Sequence, residues 1–188
     1  MDKKLSISEI AVTAVMTAVI CLLGPLSIPI GPVPISLSIL AIFLSVYILG
    51  TKLGFLSIVA YLLLGLAGVP VFAGFTSGPA KLLGPTGGYL VGYLFLGLIM
   101  GVIVEKSGRK WYLSFLGMVL GTAVLYAFGT VWLAFEANMT AKAALMAGVI
   151  PFIPFDIAKM VLALLLGSQV RKALVSGNLL PAAAKKDA

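Results

Sequence analysis

Residues 68–89 read GVPVFAGFTSGPAKLLGPTGGY, and nine Gly and Pro residues interrupt this otherwise apolar segment. Both residue types disfavour a continuous helix. A nonhelical backbone in lipid leaves its amide groups without hydrogen-bond partners, at a cost of roughly several kcal/mol for each group. The segment must therefore lie against protein, water or a ligand, and we expect it to form a nonhelical cover over a cavity.

The whole chain has the composition of a membrane protein. Its 188 residues are 61% hydrophobic and 10% charged, with a mean hydropathy of +1.18. Thirteen basic and six acidic residues are too few to form the polar exterior of a soluble domain of this length. The net charge of +7 lies in short loops and at the termini, which argues against a nucleic-acid partner.

Six apolar spans predict an all-α protein with six transmembrane helices in a single domain over residues 1–188. The predicted helices are at about 8–24, 35–50, 53–68, 87–105, 112–135 and 155–174, followed by a cytoplasmic tail over 177–188. Several of them have a length of about 25 Å, less than the hydrocarbon core of about 30 Å. These helices are expected to be barely tilted or to thin the bilayer.

The distribution of Lys and Arg predicts the orientation. With the N-terminus in the cytoplasm, ten basic residues lie inside and two, Lys81 and Lys142, lie in outer loops. The ten are Lys3, Lys4, Lys52, Lys106, Arg109, Lys110, Arg171, Lys172, Lys185 and Lys186. Both termini are then cytoplasmic, and three long apolar connections at 24–35, 68–88 and 136–155 lie outside, where we expect them to cap a cavity.

Asp156 and Lys159 are ionisable residues within a predicted span, in the sequence IPFIPFDIAKMVLALLLG. Three residues apart on a helix, they share one face and can reach each other. Charges inside a membrane are costly and indicate a functional site. The alternative is that Asp156 only interacts with the helix dipole and that Lys159 neutralises it or extends outward.

Aromatic side chains near this pair are candidate walls of a binding site. They are Phe72, Phe75, Tyr89, Tyr93 and Trp132. Such walls would hold the apolar part of a ligand while the charged pair binds a polar, neutral group. Aromatic residues near a membrane interface also occur as simple anchors, and that alternative stays open.

A stripe of small residues, Ala11, Ala14 and Ala18, runs along the first predicted helix. Such a face allows close docking of another helix, and the sequence alone favours an internal contact over an external partner. The chain has no phosphate-binding loop, no His and no clustered carboxylates. We therefore predict no catalytic residues and no metal site.

The run GLAGVPVFAGFTSGPAKLLGPTGGYLVGY, followed much later by PFIPFDIAK, resembles the biotin-specific substrate-binding (S) component of energy-coupling factor (ECF) transporters, the BioY family. The similarity extends from the first helix to the end of the sixth. It implies the six-helix S-component fold in the bacterial cytoplasmic membrane and high-affinity binding of biotin from outside. It also implies no cofactor in this chain.

The resemblance further implies the partners and the roles of residues. The partners are a transmembrane coupling protein, which contacts the small-residue stripe on the first helix, and two cytoplasmic ATPases that use ATP. Asp156 and Lys159 are implied to bind the ureido ring of biotin. The segment from Phe72 to Gly88 is implied to close over the ligand, with Gly74, Gly87 and Gly88 allowing the backbone to approach and Lys81 meeting the biotin carboxylate.

Other classes of function remain open from the sequence. The chain could be an S component for another vitamin, or a facilitator that works without a coupling module. A membrane enzyme could use Asp156 as an acid or base, but no second catalytic group is visible. A structural subunit would explain the small-residue faces but not the buried charges.

Overall fold

The computed structural model describes residues 5–180, a helical bundle with one short β-ribbon. The helices are α1 (Ile7–Leu23), α2 (Ser38–Leu49), α3 (Thr51–Leu66), α4 (Pro79–Leu83), α5 (Gly87–Lys106), α6 (Trp111–Glu136), α7 (Ala141–Gly148) and α8 (Ile153–Ser176). The strands β1 (Ser27–Ile28) and β2 (Ile35–Ser36) pair in an antiparallel ribbon between α1 and α2. The prediction of a predominantly helical protein is confirmed.

Three of these helices are long and apolar enough to cross a membrane. They are α5, α6 and α8, with 20, 26 and 24 residues. The apolar helices α1, α2 and α3 are shorter, with 17, 12 and 16 residues, and that they also cross the membrane stays a prediction. The helix α2 begins three residues later than predicted, because Ile35 and Ser36 belong to β2.

The predicted tail over 177–188 lies mostly outside the described residues. So do Lys3, Lys4, Lys185 and Lys186, on which part of the predicted orientation rests. Within the described part, α8 ends at Ser176, and Gly177 forms its C-cap. The extent of the single domain and the position of the termini therefore stay predictions.

Two of the three connections predicted to be outside contain a helix. The prediction of a nonhelical cover over 68–88 was wrong at Pro79–Leu83, where α4 forms. Pro79 opens this helix because its missing N–H costs nothing in the first turn, and Gly84 follows its last residue. In the connection at 136–155, the Thr140 side chain accepts a hydrogen bond from Ala143 N and caps α7.

Glycines bring α5 and α6 into close contact. A Cβ atom on Gly88 would overlap the Cβ atom of Trp132, and one on Gly121 would lie 3.0 Å from the backbone oxygen of Leu96. Larger residues would push the two helices apart, so the glycines fix their separation. This interface positions the N-terminal end of α5 against α6, where the candidate site lies.

Polar side chains join the helices at the other end of the bundle. The Glu105 carboxylate accepts hydrogen bonds from Thr51 N at 2.8 Å and Thr51 Oγ1 at 2.6 Å, at the start of α3. Arg109 Nε donates to the backbone oxygen of Tyr47 at 3.2 Å, and Arg171 Nη1 donates to that of Ile48 at 2.5 Å. These bonds connect the turn between α2 and α3 to α5, to the α5–α6 loop and to α8.

Candidate binding site

The start of α8 carries a buried ion pair. Asp156 is 1% exposed and Lys159 is 6% exposed, and Lys159 Nζ lies 2.8 Å from Asp156 Oδ1. Pro154 occupies the first turn, so the helix begins just before the pair and places the two residues on one face. Burial of either charge alone would be costly, and the pairing offsets much of that cost.

Tyr126 on α6 is a third member of this group, and sequence reasoning missed it. Its hydroxyl donates to Asp156 Oδ2 at 2.5 Å, so each carboxylate oxygen has one donor. A carboxylate offers about four acceptor positions, which leaves capacity for ligand N–H groups. The signal in the sequence was the Tyr126 hydroxyl in the middle of a predicted apolar span. Nothing in the sequence indicated that this hydroxyl contacts Asp156.

A small, partly open cavity of about 40 Å³ lies beneath the connection between α3 and α5. Its lining includes four of the predicted site residues, Phe72, Lys81, Tyr89 and Tyr93. It also includes polar residues that were not predicted, Ser36, Ser38 and Thr86. The structure thus brings residues from β2, α2, α4 and α5 together around one small space.

The ion pair does not line this cavity. Tyr93 is the residue that relates the two features, because it lines the cavity and lies within range of the charge of Asp156. The cavity is far smaller than ligand sites, which have volumes of about 300–1,000 Å³. A ligand that filled such a volume and reached both features would therefore require the covering segment to move away from the cavity.

The covering segment, residues 68–88, is called the lid from here on. Backbone hydrogen bonds hold it in place: Phe72 N donates to Thr76 O at 3.0 Å, Gly74 N to Pro25 O at 3.0 Å, and Gly78 N to Gly65 O at 2.8 Å. Trp132 Nε1 donates to Gly84 O at 3.0 Å. These bonds, together with the burial of Phe72, fix the lid in its observed position.

The predicted aromatic residues occupy different positions around the lid. Phe72 is fully buried, and its ring packs edge-on against Tyr61 with 5.6 Å between centroids. Phe75 is 65% exposed and lies outside the cavity lining. Trp132 does not line the cavity either, and its indole N–H holds the lid instead. Contact of Phe75 or Trp132 with a ligand stays a prediction.

The three predicted lid glycines differ in what surrounds them. Gly74 has φ +74°, and a Cβ atom there would have nothing within 4 Å. A Cβ atom on Gly87 would overlap the backbone oxygen of Leu82, and one on Gly88 would overlap Trp132. Gly87 and Gly88 are thus required for packing of the lid and of α5, whatever their relation to a ligand.

Replacing Gly74 with Val should loosen the lid without any clash. A side chain at this φ costs about 1–2 kcal/mol, and more for a β-branched residue. We expect amide hydrogen exchange at residues 72–78 to accelerate about 5- to 30-fold. The control is Ala80→Val, at an exposed position of α4 with an ordinary helical backbone, and it should leave exchange at these residues unchanged. Unchanged exchange in Gly74→Val would contradict the role of Gly74 in holding the lid.

Lys81 reaches the cavity from α4. Burial lowers the pKa of its ammonium group, because the charged form loses hydration. A ligand carboxylate beside it would restore a favourable environment for the charge. Lys81 is therefore a candidate for binding an acidic group at the mouth of the cavity.

The small-residue stripe on α1 lies on the surface. Ala11, Ala14 and Ala18 are all exposed. Ala14 and Ala18 line an open apolar groove of about 520 Å³ between α1, α3 and the lid. The interpretation that the stripe packs inside this chain was wrong, because no helix of the described residues covers it. Its contact with a partner protein stays a prediction.

Comparison with known proteins identifies relatives over nearly the whole chain. A family model described as the BioY family matches residues 1–176. The biotin transporter BioY of Thermotoga maritima is 41% identical over 159 residues, covering 84% of this chain and 92% of that protein. The biotin transporter BioY2 of Lactococcus lactis subsp. cremoris is 37% identical over 170 residues, covering 90% of this chain and 93% of that protein.

A solved structure has the same fold. It is the crystal structure at 2.1 Å of the S-component for biotin from an ECF-type ABC transporter. It matches with a TM-score of 0.82 and 34% identity, covering 88% of this chain and 92% of that chain. The helical arrangement described above is therefore that of an S component.

Proposed function

The chain belongs to the BioY family, and we propose that it binds biotin with high affinity as the S component of an ECF-type ABC transporter. It is a membrane transport component and not an enzyme. The observation that carries the proposal is the buried Asp156–Lys159 pair, which Tyr93 links to a small cavity beneath the lid. The pair offers a strong acceptor and a strong donor side by side to a ligand that carries both kinds of group.

The chemistry of biotin matches this pair. Its ureido ring has two N–H donors and a strongly accepting carbonyl oxygen, and its valerate chain is apolar up to the carboxylate. Asp156 accepts from a ureido N–H, and Lys159 donates to the carbonyl oxygen. Tyr126 holds the carboxylate in place through its hydroxyl. Phe72, Tyr89 and Tyr93 provide the walls.

Biotin reaches the site when the lid moves outward and is enclosed when the lid closes. The small size of the cavity supports this sequence of events, because a cavity of about 40 Å³ is too small for the vitamin. The bonds from Pro25, Gly65 and Trp132 to the lid are the ones that open. Gly87 then keeps the start of α5 packed against Leu82 of the lid, and Gly88 keeps it packed against Trp132 of α6.

Lys81 is the proposed partner of the biotin carboxylate. Replacing Lys81 with Gln should weaken biotin binding at least about 10-fold, since a hydrogen bond to a charged group contributes about 1.5–3 kcal/mol and Lys81 is only partly buried. Biotin methyl ester has no negative charge, so its affinity should be similar in the wild type and the variant. Calorimetric titration of both ligands into both proteins measures the difference, and an equal loss for acid and ester would contradict this role.

The proposed location is the bacterial cytoplasmic membrane, with both termini inside and six helices crossing. Ten basic residues on the inner side against two on the outer side support this orientation. It places the lid and the site on the outer side, where biotin is captured. The connections at 24–35 and 136–155 then complete the outer cap.

The proposed partners are a transmembrane coupling protein and two cytoplasmic ATPases, which use ATP to drive uptake. The exposed stripe of Ala11, Ala14 and Ala18 supports docking of the coupling protein, because small residues let two helices approach closely. The apolar groove next to it offers further contact area. The chain itself needs no cofactor and no metal ion in this cycle.

Uptake of radiolabelled biotin tests the transport function. Cells without their own biotin uptake would express this chain with or without a coupling module. We expect biotin to accumulate only in cells that express both this chain and the coupling module. Excess unlabelled biotin should compete with the labelled biotin, whereas thiamin and riboflavin should not. Equal uptake without the module would show a solitary facilitator, and competition by another vitamin would show a different substrate.

A further inference from the structure

The connection from α7 to α8 carries the chain to the ion pair. It spans residues 149–152, and α8 then places Asp156 in its first turn. Phe152 N donates to Val149 O at 2.9 Å, and Asp156 N donates to Phe152 O at 2.8 Å. These bonds are local, so they set the shape of the connection but not its position relative to the cavity.

One hydrogen bond ties this part of the chain to the cavity. The Tyr89 hydroxyl on α5 donates to the backbone oxygen of Gly148, the last residue of α7, at 3.0 Å. Within the described range 5–180, no other hydrogen bond joins residues 141–152 to α1–α6 or to the lid. Tyr89 also lines the cavity. It therefore contacts both the cavity and the segment that leads to Asp156.

The Tyr89 hydroxyl is fully used by contacts within the protein. A phenol has one O–H proton, and Gly148 O accepts it. Thr130 Oγ1 lies 3.4 Å from the Tyr89 oxygen, so Thr130 is the donor in this second, longer contact. A ligand in the cavity would therefore meet the ring of Tyr89, while the hydroxyl proton stays bound to Gly148.

Two glycines make room for this side chain. A Cβ atom on Gly129 of α6 would overlap the Tyr89 ring, and one on Gly148 would overlap its hydroxyl oxygen. Tyr89 itself is 7% exposed. The side chain is thus held between α6 and the end of α7, and close packing prevents it from turning away unless one of these elements moves.

The hydroxyl end of Tyr89 also lies near a residue that holds Asp156. It is within electrostatic range of the Tyr126 hydroxyl on α6. Tyr126 in turn donates to Asp156 Oδ2. A displacement of Tyr89 would therefore affect the surroundings of Asp156 through α6 as well as along the chain from Gly148.

We propose that Tyr89 is a positioning residue, whose hydroxyl fixes the start of α8, and with it Asp156 and Lys159, relative to the cavity. The ring provides a wall, and the hydroxyl acts on the ligand only through the polypeptide. The inference rests on the proposed function, because it gives Tyr89 a part in presenting the ion pair to the ureido ring. Removal of the hydroxyl alone should loosen residues 149–156 and weaken ligand binding while the wall stays in place.

Amide hydrogen exchange of the full chain in detergent, without ligand, tests the positioning role. Tyr89→Phe keeps the ring and removes the bond to Gly148, so we expect exchange at residues 149–156 to accelerate about fivefold. The matched control is Thr130→Val, which removes the other hydroxyl of this contact but leaves the bond to Gly148 in place. Unchanged exchange in Tyr89→Phe, or an equal acceleration in Thr130→Val, would overturn the proposal.

Calorimetric titration of biotin into the same three proteins tests the consequence for the ligand. Tyr89→Phe should bind biotin about five- to tenfold more weakly than the wild type, and Thr130→Val should bind it as tightly as the wild type. Full affinity in Tyr89→Phe would overturn the proposal. If the folded wild type bound no biotin, the proposed function would fail, whereas the exchange experiment would still decide whether Tyr89 positions the start of α8.

A second pair of variants separates the hydrogen bond from packing. Gly148→Ala should lower both thermal stability and biotin affinity, because the new methyl group overlaps the Tyr89 hydroxyl. Adding Tyr89→Phe removes that hydroxyl, so much of the stability should return, while biotin affinity should stay at the level of Tyr89→Phe alone. A return of full affinity together with stability would mean that only packing matters at this contact, and would overturn the proposal.

Discussion

Replacing Asp156 with Asn should weaken biotin binding about 100-fold, which corresponds to about 2.7 kcal/mol. The Asn side chain has nearly the same shape, but its neutral oxygen is a weaker acceptor for a ureido N–H. Its NH₂ group also presents a donor where the ligand presents a donor. Calorimetric titration of biotin into the purified wild type and the variant measures the loss.

The matched control is Glu136→Gln, which makes the same chemical change at an exposed position at the end of α6. Biotin binding by this control should equal that of the wild type. Binding retained by a folded Asp156→Asn variant would contradict the assignment and would leave Asp156 a structural role at the start of α8, through Lys159, Tyr126 and the helix dipole.

Replacing Lys159 with Met should lower the stability of the protein by about 3–5 kcal/mol, because Asp156 then loses its buried counter-charge. Biotin binding should also be lost, since the donor to the ureido oxygen is gone. Thermal unfolding in detergent, followed by tryptophan fluorescence, reports the first effect, and calorimetry reports the second.

The double variant Asp156→Asn with Lys159→Met separates these two effects. It removes both charges, so much of the stability should return while biotin binding stays absent. If the double variant were as unstable as Lys159→Met alone, the unpaired charge of Asp156 would not be the cause of the lost stability. A Lys159→Met variant that binds biotin normally would remove Lys159 from the site.

The ion pair could be predicted because its geometry is local. The spacing of Asp156 and Lys159 on a helix places them together whatever the rest of the fold does, and Pro154 marks where that helix begins. The positions of the apolar helices were predictable for the same reason, since a long apolar run indicates a helix without knowledge of tertiary contacts.

The remaining parts of the site depend on tertiary contacts between distant residues. Tyr126 and Asp156 are thirty residues apart, and the sequence does not state which face of α6 meets α8. Ser36 and Ser38 reach the cavity only because the β-ribbon folds back. Phe75 has a positive φ of 57°, which turns this part of the lid. Its side chain is 65% exposed, and this exposure could not be predicted because the surrounding sequence is apolar.

The central claim is that the buried pair recognises the ureido ring, and comparison of biotin with lipoate tests it most directly. Lipoate carries the same valerate chain and a sulfur-containing ring but has no ureido group. Calorimetric titration of both into the wild-type chain should show tight binding of biotin and at least about 100-fold weaker binding of lipoate. Lipoate lacks the two hydrogen bonds to charged groups, and their binding free energy is lost. Equal affinities, or no binding of biotin by the folded protein, would contradict the account.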